Sequence, residues 1–138
     1  MLFRSERRFP QAKFLGEKTG ADLTSHVAAT DVFVFPSLTD TFGVVQLEAL
    51  ACGVPVAAFP VTGPKDVIGN NPIGALNEDL RVACLEALQM SREACRAFAL
   101  TRSWETSARQ FIDHVDQVAV ARSPMRRAAR PVQAPVQG

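Results

Sequence analysis

An α/β fold, with a parallel sheet flanked by helices, is predicted by three observations. Short apolar runs at "AKFLG" (Ala12 to Gly16), "DVFVFPS" (Asp31 to Ser37) and "PVAAF" (Pro55 to Phe59) do not alternate polar with apolar residues, as strands buried on both faces do not. Segments with helical spacing separate them. The resulting order of strand, helix, strand, helix, strand winds right-handed into a parallel sheet that the helices cover.

The elements follow in chain order. "AKFLG" reads as a first strand closed by glycine, and "GADLTSHVAAT" then sets Leu23, Val27 and Ala28 at helical spacing for a short crossover helix. "DVFVFPS" is the second strand, ended by proline. After the polar turn "SLTDTFG" comes a helix over Gly43 to Cys52, expected to be mostly buried, with Gly53 as its stop and "PVAAF" as the third strand. "TGPKD" reads as a Gly-Pro loop, and "IGALN" (Ile73 to Asn77) as a further short strand. Three helices complete the pattern. The first carries Leu80, Cys84, Leu85 and Leu88 on one face, the second starts at a capping Ser91, and the third starts at Ser103 with Trp104, Phe111 and Val115 in a stripe.

From Arg122 onward the sequence has no periodicity and holds three prolines, so 122–138 reads as a disordered Arg/Pro/Ala-rich tail behind a single globular domain, 1–121. A chain of 138 residues that is 47% hydrophobic has apolar surface enough for one core. The formal charge is +1, but Arg122, Arg126, Arg127 and Arg130 fall in the tail. Without those four of the 15 basic residues, 11 remain against 14 acidic ones, a net of −3 for 1–121. That balance argues against nucleic acid as a partner. Cys52, Cys84 and Cys95 are far apart, lack a second ligand at metal spacing, and read as buried reduced thiols. The first ten residues carry charge where a secretory signal needs an apolar run, and no stretch reaches the roughly 20 apolar residues of a membrane span. The expected location is the cytoplasm.

The turn between the second strand and its helix carries the candidate chemistry. Ligands of such sheets bind outside the carboxyl ends of the strands, where a helix N-terminus offers free N–H groups and the positive end of its dipole. Gly43 lets a phosphate approach the backbone, and the N–H groups of Gly43, Val44 and Val45 can hold it. Glu48 stands about 7 Å further along the helix axis, at roughly 1.5 Å per residue. That is the distance from a diphosphate to its ribose, whose two hydroxyls a carboxylate can accept. Glu48 could equally be a solvent-facing residue. Asp40, separated from Glu48 by seven residues, could touch the ligand or only cap the helix. Gly63, Pro64 and Lys65 follow the third strand at the same end of the sheet and could touch the ligand or only turn the chain.

The stretch "PSLTDTFGVVQLEALACGVPVAAFPVTGP" resembles the nucleotide-sugar signature of retaining glycosyltransferases of family 4, a proteobacterial-type group 1 lineage with the GT-B fold, over about residues 12 to 121. The resemblance implies a Rossmann-like sheet, the C-terminal half of a GT-B fold, acting without metal or other cofactor on a nucleotide-sugar donor. It implies Glu48 on the ribose and the backbone after Phe42, at Gly43, Val44 and Val45, on the diphosphate. It places Asp40 beside the donor sugar as the catalytic candidate, and with it Thr41 and Phe42 in the donor-binding turn. The family has Glu more often than Asp at that place, and the shorter arm moves its contact. The implied partners are an acceptor sugar or lipid and an N-terminal GT-B domain, supplied in cis or in trans, which carries the acceptor site and a basic pair for the diphosphate. Without that half, the chain alone is expected to be inactive, either part of a transferase located free in the cytoplasm or peripherally at the inner membrane, or an inactive nucleotide-binding remnant.

Overall fold

The computed structural model describes residues 2–39 and 41–127, with side chains left aside at 2–4, 104 and 118–127. Helices α1 (Leu2–Arg8) and α2 (Gly20–Ala28) precede strand β1 (Phe33–Phe35), followed by α3 (Val44–Ala51), β2 (Val56–Ala58), α4 (Thr62–Val67), β3 (Gly74–Leu76), α5 (Leu80–Ala87), α6 (Arg92–Leu100) and α7 (Trp104–Arg127). The three strands form one parallel sheet in the order β1-β2-β3. Phe33 is in register with Val56, and Val56 with Gly74. This is a Rossmann-like α/β arrangement, as the apolar, non-alternating runs require.

The central strand explains the layering. Val56, Ala57 and Ala58 are all fully buried, and strand side chains alternate between faces. Val56 and Ala58 join Leu50, Val54, Val67, Ile68, Ile73 and Cys95 in one core, while Ala57 packs with Ala75, Ala83 and Ala87 in a second, thinner one. The second face is built from alanines because α5 lies close against β2 and β3. The α5 face therefore differs from the one read in the sequence: Ala83 and Ala87 are buried, and Leu85 and Leu88 are exposed. The buried Cys95 thiol donates to the Ile73 carbonyl at 3.5 Å, and its burial pushes its pKa up, partly opposed by the nearby Arg92 charge. All three cysteines are free, but Cys52 and Cys84 are only half-buried.

Several other expectations are corrected. "AKFLG" is not a strand: residues 13–19 have no regular structure, and Phe14 and Leu15 are exposed. A strand gains its ladder from a neighbour, and among the described residues none pairs with the outer side of β1. "TGPKD" is not a loop but most of α4, whose third residue, Pro64, sits in the first turn where a missing N–H costs nothing. The chain divides into two compact units, 1–100 and 101–138. Helix α7 runs through Arg127, past the expected start of the tail at 122, and residues 128–138 of that tail lie outside the described residues. The serine caps are present: the Ser91 hydroxyl accepts from the Ala94 N–H at 3.2 Å and the Ser103 hydroxyl from the Thr106 N–H at 3.1 Å.

Candidate functional site

Strand β1 delivers the chain to the carboxyl end of the sheet, and the exposed turn through Thr41 and Phe42 brings it into α3. The entry residue is Gly43, buried, with φ 74° and ψ 63°. A side chain would be strained at that positive φ, and a Cβ there would collide with the Gln46 amide nitrogen. A glycine N-cap contributes no side-chain acceptor. At this N-terminus, the positive end of the helix dipole, the Gln46 N–H donates to the Gly43 carbonyl at 2.9 Å, while the N–H groups of Val44 and Val45 have no intrahelical acceptor. Val44 and Val45, on that turn, are exposed.

Helix α3 is buried along one stripe only, Gln46, Ala49 and Leu50, rather than all round. Two residues along a helix turn the side chain by about 200°, so with Gln46 facing the core, Glu48 faces away from it and is exposed. The outward face, Val45, Glu48 and Cys52, lines a cavity of about 660 Å³ with Leu23, Thr24 and Val27 of α2, Phe33 of β1 and Arg96 of α6. Its walls are apolar. The polar groups are the Glu48 carboxylate, which forms no ion pair among the described residues, the Thr24 hydroxyl, which donates to the Gly20 carbonyl at 3.1 Å, and the Arg96 guanidinium, which donates to the Ala51 carbonyl at 2.8 Å. A single free carboxylate on an apolar cavity of this size suits a ligand with an apolar body and vicinal hydroxyls.

The sequence-predicted residues divide as follows. Gly43, Val44, Val45 and Glu48 share one helix beside this cavity, with Thr41 and Phe42 in the turn before it. Asp40 lies outside the described residues. Gly63 and Pro64 are buried in α4 and Lys65 is exposed there, after the carboxyl end of β2 and outside the cavity lining. Sequence reasoning missed the α2 wall: Leu23 and Val27 were read only as the helical spacing of a crossover helix, and that spacing carries no sign that the space they face is open. Among the described residues no group of three or more His, Cys, Asp or Glu side chains is placed to hold a metal, and no helix is long and apolar enough to cross a membrane.

The parallel sheet flanked by helices is a Rossmann-like α/β architecture, with the cavity along the outward side of α3. Comparison with known proteins narrows the class. Residues 9–88 match the family described as glycosyl transferases group 1, and the chain belongs to that family. It is 34% identical over 123 residues to a GDP-mannose-dependent alpha-mannosyltransferase of Mycolicibacterium smegmatis, covering 83% of this chain and 33% of that protein. It is 33% identical over 110 residues to O-antigen chain mannosyltransferase B of Escherichia coli, covering 73% and 29%. With a D-inositol 3-phosphate glycosyltransferase of Salinispora tropica the identity is 35% over 103 residues, covering 73% and 21%. The chain spans about a third of the length of the first of these relatives, and less of the others.

Proposed function

We propose that this chain is the donor-binding part of a retaining GT-B glycosyltransferase of family 4, holding a nucleoside diphosphate sugar. The observation that carries the reading is the placement of Glu48, a free carboxylate on an apolar cavity one to two turns below a glycine-capped helix N-terminus. The diphosphate sits on the N–H groups of Gly43, Val44 and Val45, where helix dipole and backbone donors favour negative charge. The ribose hydroxyls donate to Glu48 about 7 Å away, and the base extends along the apolar wall toward Leu23 and Val27. A carboxylate at that distance is past the phosphates and does not repel them strongly. Asp40 stands beside the donor sugar, and Thr41, Phe42 and the Gly63-Pro64-Lys65 segment flank it. Transfer proceeds by stabilising the departing diphosphate rather than by a strong side-chain base, with no metal or other cofactor. The name of one relative, a GDP-mannose-dependent alpha-mannosyltransferase, makes GDP-mannose the first donor to try.

The other half of the cleft, with the acceptor sugar or lipid, belongs to an N-terminal domain supplied in cis or in trans, and a location in the cytoplasm or at the inner face of the membrane fits such donors. Catalysis by positioning needs both substrates in near-attack geometry, so the chain alone is expected to bind without turnover. Calorimetry with GDP, UDP and GDP-mannose tests the reading. Glu48→Ala is expected to weaken binding by about 1.5 to 3 kcal/mol, the range for a hydrogen bond to a charged group. Equal affinity of wild type and variant would remove Glu48 from the site.

A further inference from the structure

We infer that Gln46 is a positioning residue for the donor diphosphate: its buried carboxamide holds the Phe42 carbonyl inward and so aims the Gly43 N–H outward at the ligand. The inference rests on the donor-binding reading of α3 and adds the group that sets its geometry. Gln46 is fully buried, on the same stripe as Ala49 and Leu50. Its Nε2 donates to the Phe42 carbonyl at 3.4 Å, and the same nitrogen occupies the space that a Cβ on Gly43 would need. Its Oε1 is buried with no hydrogen-bond partner among the described residues. An unpaired buried oxygen is unfavourable, and Met or Leu would fill a similar volume without it. Burial is therefore not what the amide contributes; its reach to the turn is.

The peptide plane converts that reach into direction. In a trans peptide the carbonyl of one residue and the N–H of the next point to opposite sides. Drawing the Phe42 carbonyl toward the core turns the Gly43 N–H away from it, to the side where the first-turn donors of α3 are open. Glycine at positive φ has no side chain to lock this plane, and Gln46 locks it from within, one turn along the helix.

The test compares nucleoside with nucleoside diphosphate on the full chain. Wild type and Gln46→Met are titrated by NMR with GDP and guanosine, and with UDP and uridine, alongside thermal melts. Gln46→Met is expected to weaken the diphosphate about tenfold, the worth of roughly one net hydrogen bond, to leave the nucleoside unchanged, and to melt no lower than wild type. Gln46→Asn, whose amide is one methylene short of the Phe42 carbonyl, must show the same selective loss, and it carries the test if Gln46→Met does not fold. Equal weakening of nucleoside and diphosphate, or no weakening of the diphosphate, overturns the role of Gln46 and leaves the donor site standing. Wild type that binds neither diphosphate overturns the donor reading itself, and this inference with it.

Discussion

The two sides of the sheet's central strand are built to different standards. Toward β3 the sheet is closed: β2 is fully buried, α5 lies tight on one face, and Leu50, Val54, Ile68 and Ile73 fill the other. Toward β1 it is open. Val34 is 43% exposed in the middle of a strand, Leu23 is 40% exposed, and α2 has no buried residue at all. The closed side holds most of the burial and little of the cavity lining beyond α3 and Arg96, whereas the open side holds the rest of the cavity. Regions with few buried contacts open at lower free energy, so the stability of this chain and its cavity wall are drawn from different stretches of sequence.

The sharpest test of that contrast uses one substitution on each side. Leu50→Ala should cost about 3 kcal/mol, within the usual range for truncating a buried leucine, while Leu23→Ala should cost less than about 1 kcal/mol, because the site is already open. Similar losses in urea denaturation would erase the distinction. A smaller effect is expected at the seam. Arg92, at the start of α6, donates to the Thr30 and Ala28 carbonyls at 2.7 Å each, closing the C-terminal end of α2. Arg92→Met should cost about 1 kcal/mol and speed amide exchange in α2 while leaving β2 unchanged. Uniform acceleration of both would show that the two sides open together.

The smallest effect is a pH dependence on the closed side. Burial raises the Cys95 pKa, so the unfolded chain ionises this thiol before the folded one does. Its contribution is fully present below the ordinary thiol pKa and is lost as pH rises from there through the raised value. Cys95→Ala should flatten the alkaline decline measured by chemical denaturation, and an unchanged slope would assign the decline to other groups.

The same division governed what could be read from the sequence. β1, β2, β3 and the helix α3 between the first two are legible because continuous apolar runs bounded by Gly and Pro report burial on both faces. "AKFLG" reads the same way yet forms no strand, since an apolar run states a demand for burial and not the partner that meets it. The Gly-Pro pair at 63 and 64 suggested a loop because proline is judged by its helix-interior penalty, which a first turn escapes. Helix α1 gave no signal, having no cap or apolar stripe in a charged segment. Near the candidate site, the start of α3 at Gly43 and the place of Glu48 along it were legible from the turn and helix pattern. Gln46 was not, because its role depends on which stripe of α3 faces inward, and neither was the α2 wall, which exists only once two helices are placed.

The strand order also carries a consequence for assembly. Neighbours in the sheet are neighbours in the chain: Phe33 meets Val56 across 23 positions, and Val56 meets Gly74 across 18. Loop-closure entropy grows so slowly with length that these two closures differ by only a few tenths of a kcal/mol. Entropy therefore does not rank them, and buried surface does. The stretch from β2 through α5 is uninterrupted and gains most of the core, so it is expected to collapse first, with β1 and its preceding helix joining afterwards. A wall that joins last also detaches first, and a molecule seated against it would be felt as slower detachment of that wall, with little change in the rate at which the rest comes apart.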